Sequence, residues 1–129
     1  MSRFKSIVPP SMSMSYSAFH FSPAVVSDNR VYASGQLGTG PDGKIPDDLE
    51  KQFTYAFERV GLVLEAAGAT FADIVEISTF HIGLQEHIGK FVAVKDRFVL
   101  EPYPAWTAVG TTELAIPGAV VEIKVIAHI

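Results

Sequence analysis

The sequence predicts an α+β domain: a mixed β-sheet with two helices on one face, a two-layer sandwich. Three observations carry this. Two segments repeat apolar residues at spacings of three and four, the signature of an amphipathic helix. Several shorter segments are rich in Ile, Val and Thr and too short for helices. Their order is strands, helix, strand, helix, strands, so both helices must cover the same sheet. With 129 residues and no internal repeat or linker, the whole chain, 1–129, reads as one domain.

The elements follow in order. An apolar run, Phe4 to Val8, is closed by Pro9-Pro10, which cannot continue a ladder. Ser11 to Ser17, serines alternating with Met12 and Met14, reads as a loop. Phe19 to Val26 carries Pro23 and reads as an edge strand, followed by a turn at Ser27-Asp28-Asn29. Arg30 to Ala33 is a short strand running into Ser34-Gly35-Gln36. Leu37 to Pro46 is a Gly/Pro-rich loop, and Asp47 with Glu50 three residues on predicts the acidic cap of the first helix. Phe53, Phe57, Val60, Leu64 and Ala67 form its apolar stripe, and Gly68 ends it. Asp73 to Ile82 is a strand. Gln85 to Leu100 is the second helix, with Ile88, Phe91, Val92, Lys95, Phe98 and Val99 at helical spacing, and Pro102 stops it. Ala105 to Val109 and Ala119 to Ala127 are the last strands, separated by a turn at Pro117-Gly118.

Composition narrows the function. There is no cysteine, which excludes disulfides, thiolate metal sites, iron–sulfur clusters and a Cys nucleophile. Ten Lys and Arg against 14 Asp and Glu leave a net charge of −4, and no basic block suits a nucleic-acid surface. No stretch reaches the length of a membrane helix, so a cytoplasmic protein with neither membrane nor nucleic-acid partners is expected. The histidines show no metal-ligand spacing, and His81, mid-strand beside Thr79, reads as hydrogen-bonded structure. The loop from Gly38 to Gly43 lacks the Lys-Ser/Thr of a phosphate loop.

The last strand separates two surfaces. Ala119, Val121, Ile123, Val125 and Ala127 point one way and fit under the helices. Val120, Glu122, Lys124, Ile126 and His128 point the other way, a mixed face that suits either solvent or a subunit interface around a small polar pocket.

Ser34-Gly35-Gln36, the segment Glu65-Ala66-Ala67-Gly68-Ala69, Asp73-Ile74-Val75, Tyr103-Pro104-Ala105 and the tail Val121-Glu122-Ile123-Lys124-Val125-Ile126-Ala127 stand in one order. In that order they resemble the Rid family, also called YjgF/YER057c/UK114, from about Phe19 to Ala127. The resemblance implies a chorismate mutase-like fold and a homotrimer whose sheets line a central barrel, with three clefts between protomers. It implies hydrolysis of reactive enamines and imines, such as 2-aminoacrylate, to carbonyl compounds and ammonia, without metal or cofactor. Carried over, Glu122 is the catalytic residue that positions or activates water. Phe21, Ser34, Gly35, Trp106, Thr107 and Ala108 are implied as substrate-binding positions. Phe91 joins them, near where the family's Asn on the second helix falls.

Two departures matter. The family's substrate-clamping Arg falls on Trp106, and its usual Tyr falls on Phe21. A guanidinium offers a planar fork of donors to a carboxylate, whereas indole offers one N–H and no charge. The expectation is a site poorly suited to 2-aminoacrylate and open to flat, neutral or cationic ligands, with Lys124 as a partial substitute charge. Trp106 also reads as plain packing, Glu122 as a solvated strand residue, Ser34-Gly35-Gln36 as a simple strand end, and Arg59 as an exposed helical arginine. The alternative function is a non-catalytic trimer that binds a small metabolite in the same clefts. Cleavage of RNA, attached to some relatives, has no support in the acidic balance.

Overall fold

A computed structural model of the chain describes residues 3–129. The elements are β1 (Lys5–Ile7), α1 (Ser13–Ser17), β2 (Ala24–Ser27), β3 (Arg30–Ala33), β4 (Gln36–Leu37), α2 (Leu49–Ala66), β5 (Ile74–His81), α3 (Leu84–Phe98), β6 (Ala105–Gly110) and β7 (Val121–His128). Seven strands form one mixed sheet in the order β1-β2-β3-β7-β5-β6, with β4 also paired to β7. Only the β5–β6 pair is parallel. The α+β class expected from the sequence is what forms, with three helices.

Local chemistry accounts for most elements. β2 and β3 form a hairpin whose two central residues, Asp28 and Asn29, have φ of +48° and +62°, values that Asp and Asn tolerate best among residues with a β-carbon. The Asp48 carboxylate caps α2 by accepting the Lys51 N–H at 2.9 Å. The cap is therefore one residue later than expected, and Glu50 sits in the first turn facing the positive helix end. Gly68, at φ +83°, follows the last turn of α2 as expected of a left-handed terminator.

The stretch read as a loop is partly helical. A single turn at Pro10–Met12 leads into α1, and Met12 is buried. β2 is shorter than expected and lies inside the sheet, because β1 pairs along its free side. Pro23 precedes the strand, so no ladder donor is lost within it.

The core lies between the sheet and α2 and α3. Val121, Ile123, Val125 and Ala127 of β7 are all buried, as the alternation predicted. Against them stand Phe53, Phe57, Val60 and Leu64 of α2 and Phe91 of α3. Phe91 meets Phe53 edge-on with ring centres 5.4 Å apart and stacks on Phe57 at 5.6 Å. Phe57 stacks in turn on Phe98 at 5.2 Å. Each such pair adds about 0.5–1.5 kcal/mol beyond area burial.

Phe91 is thus a core residue, fully buried within one chain, and not a wall of a binding cleft. Phe91→Ala is expected to lower stability by about 3–5 kcal/mol, the cost of a cavity among aromatic rings. Urea unfolding checks this, and a loss below about 1 kcal/mol would argue against core packing.

Candidate functional site

Two groups of polar side chains stand out, one on each face of the sheet. The first surrounds the Ser34-Gly35-Gln36 turn, with Ser34 at the open pocket and Gln36 buried toward α2. Ser34 donates its hydroxyl to the Ser22 carbonyl at 2.7 Å and its N–H to the Pro23 carbonyl at 2.8 Å. Gln36, buried, donates Nε2 to the Ser34 carbonyl at 3.3 Å and accepts the Arg59 Nε–H at 3.3 Å. Arg59 is therefore half-buried and structural, and burial lowers its pKa from the ordinary value. The Ser34 hydroxyl proton is committed to backbone, while its oxygen keeps lone pairs for a ligand.

This turn lies directly on Glu122. Leu37 is paired with Glu122 across β4 and β7. A β-carbon added at Gly35 would stand 2.6 Å from Glu122 Oε2, so only glycine permits this approach. Glu122 is half-buried. No donor of the described residues bonds its carboxylate, and Lys124, two positions on, makes no ion pair with it. The carboxylate is thus confined by the glycine and unpaired among the described residues.

Next to the turn is a pocket of about 980 Å³ lined by Phe21, Ser34, Gly35 and Lys124, together with Tyr16, His20 and Tyr32. Phe21, Ser34 and Gly35 were implied by the resemblance, and the structure brings them together. Tyr16 and His20 were missed, because they fall in and after the segment read as a loop. Tyr32 had a legible signal: it alternates with the buried Val31 and Ala33 and so must face the other side.

The second group lies on the core face. Trp106 is paired with Ile77, and Ile77 with Val125, both buried under the helices. Trp106 therefore points toward α3, where its ring centre is 5.9 Å from that of Phe91. Within one chain Trp106 and Glu122 occupy opposite faces of the sheet. Ala108, level with the buried Thr79, shares the face of Trp106, whereas Thr107 shares that of Lys124 through Ser78. The resemblance implied clefts between protomers for Phe21, Glu122 and Trp106, and one chain by itself holds Glu122 and Trp106 apart.

The indole is tied down. Trp106 donates its N–H to Thr79 Oγ1 at 2.9 Å. Thr79 Oγ1 lies 2.7 Å from His81 Nε2, and His81 Nδ1 lies 3.1 Å from His87 Nε2. Indole can only donate, so the threonine oxygen accepts from it, while its bond to His81 Nε2 and the bond between His81 and His87 run in the direction the histidine tautomers set. Thr79, His81 and His87 are all buried, and burial, then the neighbouring His87, pushes the His81 pKa down to about 4. Burial lowers His87 as well, against an opposing pull from Glu86. The reading of His81 as hydrogen-bonded structure holds. His87, which looked isolated in the sequence, is its partner six residues on across a turn. No group of three metal-ligating side chains forms among the described residues.

Helix α3 contributes one further residue. Lys95 is buried and places its ammonium 5.0 Å from the centre of the Trp106 ring. The sequence carried the signal, a lysine within the apolar stripe of the second helix.

The α+β sheet order and the acid set against a Ser-Gly-Gln turn are the features to compare with known proteins. Comparison with known proteins identifies the family. The model described as Endoribonuclease L-PSP matches residues 12–129. RutC family protein YjgH of Escherichia coli K12 is 40% identical over 115 residues, covering 88% of this chain and 86% of that protein. A 2-iminobutanoate/2-iminopropanoate deaminase of Dermatophagoides farinae is 35% identical over 106 residues, covering 73% and 74%. Among solved structures, protein YJGH superposes with a TM-score of 0.88 at 36% identity over 99% of this chain and 98% of that one. Rv2704 of Mycobacterium tuberculosis, a member of the YjgF/YER057c/UK114 family, does so with a TM-score of 0.83 at 28% identity over 96% and 98%. The chain belongs to this family, the one the Ser-Gly-Gln, Pro-Ala and Val-Glu-Ile segments resemble.

The histidine pair makes stability pH-dependent. Above pH 6.5 both folded and unfolded states hold His81 neutral. Between 6.5 and about 4 the unfolded chain takes up a proton that the folded chain refuses, so stability falls as pH falls. The expected loss is about 2 kcal/mol between pH 7.5 and pH 5, where exposed carboxylates remain ionised. Urea unfolding at the two pH values measures it, and unchanged midpoints would contradict the buried neutral pair.

Proposed function

We propose that this chain is an imine or enamine deaminase, converting reactive C=N metabolites to carbonyl compounds and ammonia, with Glu122 as the residue that handles water. The observation that carries the reading is the unpaired, half-buried Glu122 carboxylate held against Gly35, a residue that lines an open pocket. Family membership supports it, since several relatives are named 2-iminobutanoate/2-iminopropanoate deaminase.

The chemistry is balanced without a cofactor. Water adds to the electrophilic carbon of the protonated imine while Glu122 takes its proton. The resulting carbinolamine collapses as that proton is returned to nitrogen and Glu122 takes the hydroxyl proton, so that the C–N bond breaks, ammonia leaves and the carbonyl product remains, the last proton passing to ammonia or solvent.

The complete site belongs to an assembly in this proposal. A homotrimer would set the β6 edge of one protomer, with Trp106 and Thr107, against the Phe21–Ser34 pocket of its neighbour, joining groups that one chain holds apart. Exposed apolar side chains at both surfaces support it: Tyr103 and Val109 at one, Phe21 and Tyr32 at the other. The RNA cleavage named in the family description has no basic groove to serve it here, because acids outnumber Lys and Arg by 14 to 10.

Ammonia release from imines generated by an amino-acid oxidase tests the activity. Glu122→Gln is expected to lower the rate at least roughly 100-fold while the fold is retained. Gly35→Ala is expected to lower activity as well, because its new methyl displaces the carboxylate. If the wild-type chain hydrolyses no imine faster than buffer, the site only binds. Light scattering at micromolar concentration is expected to give the mass of three 14.0 kDa chains, and a monomer would defeat the shared-cleft arrangement.

A further inference from the structure

The open face of the sheet carries an aromatic basin. Its floor is a row of paired residues across β1, β2 and β3, with Ser6 beside Val25 and Val25 beside Tyr32. Its wall is supplied by Tyr16 of α1 and by His20 and Phe21 just after that helix. Tyr16, Phe21 and Tyr32 are 52%, 45% and 39% exposed, and all three line the same pocket. Exposed aromatic side chains gathered in one patch mark a binding surface. A neighbour's β6 edge would close the mouth of this basin, but floor and wall belong to one chain.

The wall is tied to the floor. Met12, just before α1, is buried in the core and anchors the segment. The turn after α1 is closed by the Phe19 and Phe21 N–H groups, which donate to the Met14 and Ser15 carbonyls at 3.2 and 3.1 Å. His20 takes φ +60° in that turn, a left-handed conformation that glycine would adopt without strain. The Ser22 hydroxyl lies 2.6 Å from that of Ser6, and the Ser22 carbonyl accepts the Ser34 hydroxyl at 2.7 Å. These bonds spend serine protons on the scaffold, so the lining offers a ligand chiefly ring surface.

We propose that this basin selects a planar aromatic group, so that the imines hydrolysed carry an aryl or indolyl substituent, with Tyr16, Phe21 and Tyr32 setting the preference. This rests on the imine-hydrolysis reading and names the substituent that the same site accepts. The basin holds about 980 Å³, at the upper end of the roughly 300–1,000 Å³ of sites for drug-sized ligands, which is far more than a small aliphatic imine fills. Aromatic rings attract one another in offset and edge-on contacts that a saturated ring of the same size does not make. A wall fixed before binding spares the cost of ordering it. The expected preference for flat ligands thus moves from Trp106 and Phe91, on the covered face, to rings of the open face.

Calorimetry reads the binding without catalysis, using two neutral, unreactive probes of similar size, phenylacetamide and cyclohexylacetamide. The wild type is expected to bind the aromatic probe at least about fivefold more tightly than the saturated one. Tyr32→Val, which keeps a good strand former on β3, is expected to cut that preference at least about twofold. Tyr32→Phe, which keeps the ring, is expected to preserve it. Tyr16→Leu, with the same expected loss, gives the reading if the valine variant does not fold. In activity, the ratio of kcat/KM for the imine from oxidised phenylalanine to that for the imine from oxidised cyclohexylalanine is expected to fall in the same variants.

Equal affinity of the wild type for the two probes overturns the proposal, as does no binding of phenylacetamide. An unchanged preference in both Tyr32→Val and Tyr16→Leu overturns it too. Ring-selective binding that these variants weaken, without hydrolysis of any imine, leaves the aromatic basin standing and refutes the deaminase reading alone. Hydrolysis of the aromatic and saturated imines at equal kcat/KM does the reverse, sustaining the deaminase and refuting the ring preference.

Discussion

The register of β7 is the constraint on which the molecule depends. This strand is the last to be made, yet it sits in the middle of the sheet, between β3 and β4 on one side and β5 on the other. Its odd-numbered residues are the floor of the core, and its even-numbered residues include Glu122 and Lys124. A slip of one residue would exchange the two sets, putting charge under the helices and Val and Ile on the open face. The strand's entry is pinned by a buried glutamine. Gln52 accepts the Val120 N–H at 2.6 Å and donates to the carbonyls of Gly118 and Pro46 at 3.3 and 3.2 Å. One side chain of α2 thereby ties the start of its own helix to the start of the central strand.

The two faces of the sheet do different chemistry because they differ in access to water. On the open face a turn presses glycine against a carboxylate and leaves that carboxylate unpaired beside a pocket. On the covered face, polar groups survive only by satisfying one another, as Trp106, Thr79, His81 and His87 do in a single chain of hydrogen bonds. Lys95 is the charge on that face, its stem buried, its ammonium over the Trp106 ring and 3.7 Å from Asp96 Oδ1. The indole at position 106 therefore does more than fill space. It creates a donor that the threonine must accept, and it supplies a ring for the lysine to lie over.

The periodic elements were legible from local pattern. The stripe of Phe53, Phe57, Val60 and Leu64 specifies α2, and the alternation from Val121 to Ala127 specifies both faces of β7. Where the reading failed, the deciding information was not local. The five residues of α1 are too few to show a helical period, and their Ser–Met alternation mimics a strand. Asp47 and Asp48 are equivalent as caps until the chain's entry angle is known. Whether β2 is an edge depends on β1, which lies nearly twenty residues earlier at Lys5–Ile7. Phe91 falls on the right helix for a cleft residue, and only its packing on Phe53 and Phe57 assigns it to the core.

The sequence by itself determined the fold class, the acid on the last strand, the Ser-Gly-Gln turn and the tryptophan that follows Pro104-Ala105, since each is carried by residue type and short spacing. Tertiary structure alone decided that Glu122 touches Gly35, that His81 and His87 face each other, that Trp106 turns inward, and that the lysine of α3 lies over its ring. These are contacts between segments distant in the chain or joined by a turn. They depend on strand order, on which side of the sheet each strand presents, and on how α3 sits across it, none of which is written in the period of any one segment.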